Sequence, residues 1–189
     1  MNSINRKLLI AGIILISILF LVLFLIRYNY LNTKYPEVII DSSSMNEPVN
    51  YFDFSLCAEK YAIINQNEIK EKNIISEQLP SGFETKMVLV TLNIKNTSTQ
   101  EKTIELYPFV LESNGWRSAF DFEAFNKLNS ENVSTSLRLK PGKSQTVILP
   151  FTMYNSQFKK DYWAKLQNKE FDLIFSLYPI KKYIKLYNG

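Results

Sequence analysis

The chain has 189 residues, with 22 Lys and Arg, 18 Asp and Glu, no His and one Cys. Without His there is no Ser-His-Asp triad, no Cys-His dyad and no His-ligated metal, and one Cys makes neither an internal disulfide nor a thiolate zinc site. The net charge of +4 comes largely from residues 1–27, which hold Arg6, Lys7 and Arg27 and no acid, so the remainder is close to neutral.

Leu8 to Ile26 is an apolar run interrupted only by Gly12 and Ser17, long enough to cross a bilayer core of ~30 Å as a helix. It lacks the polar stripe of a soluble core helix. Residues 1–7 then read as a cytoplasmic tail, because Arg6 and Lys7 favour the inner side and the bulk of the chain falls outside. A cleaved signal peptide has a shorter apolar region ending at a small-x-small site, and Arg27-Tyr28-Asn29-Tyr30 offers none. Residues 27–49, with Tyr35-Pro36, Ser42-Ser43-Ser44 and Glu47-Pro48, read as an extracellular spacer without regular structure.

Residues 50–189 carry the pattern of a β-sandwich. Tyr51 to Ile64 holds Phe52, Phe54 and Leu56 at period two and supplies a first strand. In Lys86 to Asn96, Val88, Val90, Leu92 and Ile94 share one face. Asn96-Thr97-Ser98-Thr99 is a turn, and Thr103 to Glu112 reads as a neighbouring strand. Thr135 to Leu139 and Ser144 to Met153 are strands around the Pro141-Gly142 turn. Phe158, Tyr162 and Leu166 recur every fourth residue and mark one short helix, with Asn155 or Ser156 as cap. Phe171 to Leu177 is a strand, extended past Pro179 by Tyr183 to Leu186. The fold class is therefore mainly β: a single transmembrane helix followed by an immunoglobulin-like sandwich with one short helix.

Val88 to Ser98, Leu139 to Phe151 and Phe171 to Leu186, with the anchor and Tyr35-Pro36, resemble uncharacterised surface proteins of Gram-positive bacteria with immunoglobulin-like domains, the DUF5028 and DUF4352-like groups. The most specific piece is Leu177 to Lys182. The resemblance implies a fold and an envelope address, and brings no catalytic residues with it.

Several residue sets suggest chemistry. Ser44-Met45-Asn46-Glu47-Pro48 resembles the Ser-Met-x-Pro box of type I signal peptidases, with Lys86 as the base of a Ser-Lys dyad. The box is off by one residue and no Gly-Asp motif follows, so this peptidase is the alternative reading. Ser156 and Lys159 match Ser-x-x-Lys without the partner motifs. Asp121 and Glu123 read as solvated loop acids, and Lys181, Lys182 and Lys185 as a solvated strand face. Cys57 reads as a small core residue. Asn96-Thr97-Ser98 and Asn132-Val133-Ser134 are glycosylation sequons without meaning in a bacterium.

Trp116, Phe120, Phe122 and Phe125 crowd one connection and are the candidate partner-binding residues; a plug for the open end of the sandwich is the competing reading. No residue is assigned a catalytic, cofactor-binding or metal-binding role, and no cofactor is expected. The expected partners are the membrane, through Leu8–Ile26, and another envelope or secreted protein. No basic stripe tracks phosphates, so nucleic acid is not among them.

Overall fold

The computed structural model describes residues 3–75, 82–131 and 133–187. The chain forms two units, residues 1–38 and residues 39–189. Met1, Asn2 and the sequon residue Asn132 lie outside the described residues.

The first unit is one helix, α1, Ser3–Lys34. Its stretch Ile10–Lys34 is long and apolar enough to cross a membrane. The helix runs past Ile26, through the part of the spacer expected to be irregular. Nothing from Tyr28 to Lys34 breaks a helix, and Thr33 Oγ1 donates to the Asn29 carbonyl at 2.9 Å. Pro36 ends it by disfavouring helical geometry at Tyr35. Arg27 lies 5.5 Å from the Tyr30 ring centre and Lys34 5.7 Å from it, giving this end of the helix a cation–aromatic collar.

The second unit is a mainly β sandwich. Its strands are β1 Ile39–Ser44, β2 Val49–Tyr51, β3 Phe54–Asn65, β4 Thr85–Asn96, β5 Lys102–Glu105, β6 Val110–Ser113, β7 Trp116–Ala119, β8 Ser136–Leu139, β9 Ser144–Tyr154, β10 Phe171–Ser176 and β11 Ile180–Leu186. One sheet has the order β1-β11-β10-β6-β7 and the other β2-β3-β4-β9, with β5 and β8 as a separate pair. In the five-stranded sheet, β11, β10, β6 and β7 follow the G, F, C and C′ order of immunoglobulin variable domains.

The spacer reading of residues 27–49 is corrected again at β1, which pairs in parallel with β11 from Ile39↔Ile180 to Ser44↔Lys185. Ile39-Ile40-Asp41-Ser42-Ser43-Ser44 has no apolar alternation because it is an edge strand in which Ile39 and Ile40 are exposed and no residue is fully buried. Backbone bonding and the 2.8 Å Asp41–Lys182 ion pair hold it, and neither leaves a hydrophobic signature.

The core lies between the sheets. Val88, Val90, Leu92 and Ile94 of β4 are fully buried there, as the period-two pattern requires. On β3 the inward set is Leu56 and Ala58, then Ile63. The register shift between Ala58 and Lys60 explains the change of parity, since a bulge moves later side chains to the other face. The first strand starts at Phe54 rather than Tyr51, because Phe52 occupies the tight β2–β3 turn at φ 51°.

The outer face of the four-stranded sheet is partly covered. Helices α2 Gln66–Glu71 and α3 Phe122–Leu128 bring Ile69 and Ala124 onto Ile64 and Met87. Asn65 caps α2, its Oδ1 accepting from Asn67 and Glu68 N–H, while Glu68 accepts from Asn65 N–H at 2.8 Å. The expected helix around Tyr162 is α4, Lys160–Ala164, between 3-10 turns at Asn155–Gln157 and Leu166–Asn168. Neither Asn155 nor Ser156 caps it; Lys159 holds the cap position with no side-chain bond.

The strand expected from Thr103 to Glu112 is two strands in different layers. Phe109 N–H closes a turn onto the Leu106 carbonyl at 2.9 Å, around Pro108. β5 then pairs with β8 and β6 with β10 and β7, so β4 and β5 are not partners.

Candidate functional site

β6 and β7 meet across Asn114 and Gly115, at φ 47° and 80°. Two successive positive φ values define the two-residue hairpin turn that Asn-Gly favours. Ser113 and Trp116 flank it as a cross-strand pair. The turn places Trp116 beside the segment that leads into α4. Its ring centre lies 5.3 Å from Phe158 and 6.3 Å from Phe171. Phe158 is stacked on Tyr162 at 5.5 Å with the planes 4° apart, and lies 5.7 Å from Trp163.

Two hollows share Phe158 as a wall. One, of about 520 Å³, is lined by Ser113, Asn114, Trp116, Gln157, Lys159 and Tyr162 among others. The second, of about 530 Å³, is lined by Phe83, Glu84, Ser156, Lys160 and Trp163 among others. Both are in the size range of ligand sites.

The aromatic walls are held from behind. Ser113 Oγ donates to the Glu170 carbonyl at 2.7 Å, so its oxygen accepts from the Tyr162 hydroxyl, also at 2.7 Å. Trp163 Nε1–H donates to Glu84 at 2.6 Å. The Lys86 ammonium lies 4.6 Å from the Trp163 ring centre, and that of Lys169 5.0 Å from the Tyr162 ring centre. Burial pushes the Tyr61 phenol well up, with Tyr162 adding to the shift.

The four aromatic residues singled out in the sequence are separated by the fold. Trp116 lines the groove. Phe120 and Phe125 are buried, 5.3 Å apart, and close the core. Phe122 stands exposed beside Phe120 at 4.9 Å, outside the groove. Their segment is not a loop: it is β7 followed by α3. In sequence, Phe158 and Tyr162 recur at helical spacing, and nothing in that spacing joins them to Trp116. The Asn114-Gly115 pair was the signal available, because it makes Trp116 the first residue of a returning strand.

The remaining candidates have structural partners. Asp121 caps α3, accepting from Ala124 N–H at 3.0 Å and from Thr152 Oγ1 at 2.9 Å; it is not a solvated loop acid. Lys181 pairs with Glu112 at 3.1 Å, and Arg117 bonds the same carboxylate. Burial alone would raise Glu112; the hydrogen bonds from Arg117 and Lys181 outweigh it and hold the carboxyl below its usual range. Asp172, opposite Glu112 in the ladder, is raised, by burial first. Cys57 lies half-buried on the outer face of β3, outside the core expected for it. Burial raises its thiol, with Glu59 adding, which makes it a poor nucleophile.

The Ser-Lys dyad is not assembled. Ser44 is in β1 of one sheet and its N–H donates to Glu47 at 3.1 Å. Lys86 is in β4 of the other sheet, its ammonium donating to the Trp163 carbonyl at 3.1 Å. Ser156 is in a 3-10 turn. Among the described residues, no group of three or more acids or Cys is placed to hold a metal.

Residues 36–182 match the family model described as Domain of unknown function (DUF5028). The chain belongs to this family. Similar solved structures include a functionally unknown protein from Listeria monocytogenes EGD-e, 16% identical over 70% of each chain at TM-score 0.46. An uncharacterised β-sandwich protein from Clostridium difficile 630 is 15% identical, over 79% of this chain and 96% of that one, at TM-score 0.46. The yjhA protein of Bacillus subtilis is 10% identical, over 76% and 98%, at TM-score 0.46. No curated protein matches the chain.

Proposed function

We propose that this protein is a membrane-tethered, non-catalytic binding module. In this reading α1 spans the membrane with its N-terminus inside, and the sandwich outside presents the Trp116–Phe158–Tyr162 groove to another envelope or secreted protein. The groove is the observation that carries the reading. Aromatic rings on a rigid frame give contact area at little entropic cost, and such anchors dominate protein interfaces. The polar residues Asn114, Gln157 and Lys159 supply orienting groups beside the aromatic walls. The orientation rests on Arg6 and Lys7, which precede the apolar run with no acid beside them.

Crosslinking of the full-length protein in its own membrane, followed by mass spectrometry, tests the reading. One abundant protein adduct, lost in Trp116→Ala and in Phe158→Ala but kept in Phe122→Ala, is the expected result. An adduct set unchanged by both groove substitutions would remove the groove from the binding function.

A further inference from the structure

The opposite end of the sandwich has a different surface. Three turns and the start of β1 come together there. Ile39 N–H donates to the Pro179 carbonyl, and Thr97 N–H to the Asp53 carbonyl at 2.8 Å. Tyr51, next to Phe52 in the β2–β3 turn, packs on Phe109 at 5.9 Å and on Phe175 at 5.2 Å. This joins the turns at residues 51–54, 106–109 and 176–180. Their tips carry exposed apolar side chains: Ile39 65%, Phe52 86%, Tyr107 60%, Leu177 46% and Tyr178 53%. Elsewhere on the described domain, Ile40 beside Ile39 on β1, and Phe83, Phe122 and Tyr187, are exposed.

Two further observations bear on what covers these tips. Phe52 holds φ 51°, a region that a bulky residue occupies only under strain, and its ring is almost wholly exposed. A strained backbone that serves to expose an aromatic ring points to a role outside the folded core. Beside these tips lie Lys95, Lys140 and Lys143. Asn96 N–H bonds the Lys143 carbonyl, and Lys143 N–H the Lys140 carbonyl. All three lysines are exposed, and no ion pair is formed by any of them among the described residues. Of the nearby acids, Asp53 and Asp41 are neutralised by Lys102 at 3.0 Å and Lys182 at 2.8 Å, while Glu37, in the connection from α1, forms no ion pair among the described residues and offsets one of the three lysines. This end therefore combines amphipathic rings with free positive charge. β1 begins at this end, and Tyr35 to Val38 connect it in the chain to α1.

We propose that this end of the sandwich rests in the interfacial layer of the membrane, with Phe52, Tyr107, Leu177 and Tyr178 among the lipid headgroups and the three lysines facing anionic lipid. The proposal rests on the reading of α1 as a membrane span. Aromatic and aliphatic side chains are stabilised at this depth, and nearby Lys adds attraction to acidic headgroups. The seated end fixes the domain so that the aromatic groove faces away from the bilayer.

The test uses the full-length protein in vesicles of phosphatidylcholine and phosphatidylglycerol. In a Cys57→Ser background, single substitutions Phe52→Cys, Tyr178→Cys, Lys159→Cys and Leu19→Cys carry an environment-sensitive fluorophore. Lipids with a spin label near the headgroup, or deep in the acyl chain, act as quenchers. The expected result is loss of most fluorescence at positions 52 and 178 with the shallow quencher, none at 159, and loss at 19 with the deep one. Labels at 52 and 178 as unquenched as 159, with 19 still quenched, overturn the proposal and leave the tether standing. Unquenched 52 and 178 whose emission shifts with protein density place a second copy on this end and overturn it as well. An unquenched label at 19 overturns the tether reading itself and the proposal with it.

Discussion

The two ends of the sandwich use aromatic residues in opposite ways. At the groove end, Trp116, Phe158, Tyr162 and Trp163 are recessed, and the Tyr162 hydroxyl and Trp163 indole N–H are tied to Ser113 and Glu84. At the end where the chain enters from α1, the rings sit on turn tips, and the structure beneath them is held by one polar residue. Asn96 is fully buried. Its Nδ2 donates to the Gln100 and Leu139 carbonyls at 2.8 Å, and its Oδ1 accepts from Ser98 N–H and Oγ. A recessed, pre-ordered surface suits a specific partner, whereas projecting rings over a rigid base suit a fluid one. In this fold, where an aromatic residue sits says more about its role than how many there are.

The largest effect is expected at Asn96. Asn96→Ala removes four hydrogen bonds at a buried site and leaves the Leu139 carbonyl without its donor. A loss of about 2–4 kcal/mol is expected, read as a lower thermal midpoint of the full-length protein in detergent. A loss no larger than that of a surface substitution would remove the rigid base from the comparison.

Next is the groove. Phe158→Ala should reduce the crosslinked adduct by about tenfold or more, as loss of an aromatic anchor does, with cooperative unfolding retained. If adduct and cooperativity disappear together, the groove is only the cap of the core at that end.

Phe52→Gly sharpens the comparison from the other side. Glycine accepts φ 51° without strain, so the fold should gain about 0.5–1 kcal/mol by relieving it. Adduct formation at the groove should not change. A destabilised Phe52→Gly would mean that the ring supports the fold through Tyr51, 4.7 Å away.

The smallest effects lie on the charged face of the five-stranded sheet. Glu112 is depressed in the folded state; its stabilisation is present above the unfolded carboxyl pKa and is lost as pH falls through the lowered folded value. Asp172 is raised, so the folded state holds its proton more tightly than the unfolded chain does. Its ionisation therefore disfavours folding as pH rises through the unfolded and then the folded value. Asp172→Asn should give a slightly higher thermal midpoint at neutral pH, and the gain should vanish in acid. A lower midpoint at neutral pH would show that attraction to Lys181 and Lys185 outweighs burial.

Much of the fold was legible because β4, β9 and β10 bury one face in the sandwich and so alternate visibly in sequence. β1 was hidden because an edge strand is held by backbone bonds and needs no apolar alternation. Helices α2 and α3 were hidden by their shortness; the marks they leave are caps, Asn65 with Glu68 and Asp121 with Ala124. Phe120 and Phe125 as core plugs were within reach of the sequence as an alternative reading. The groove was not, because its walls come from residues more than forty positions apart, Trp116 and Phe158, brought together by the crossing of chain between layers.

The central claim is that the groove is displayed on the outer side of a membrane. A membrane-impermeant maleimide applied to intact cells carrying full-length Cys57→Ser, Lys159→Cys tests it most directly. Labelling at position 159 in intact cells, with an Asn5→Cys variant labelled only after permeabilisation, is the predicted result. Labelling of Lys159→Cys only after permeabilisation would contradict the account, because it would place the groove on the side where no envelope or secreted partner can reach it.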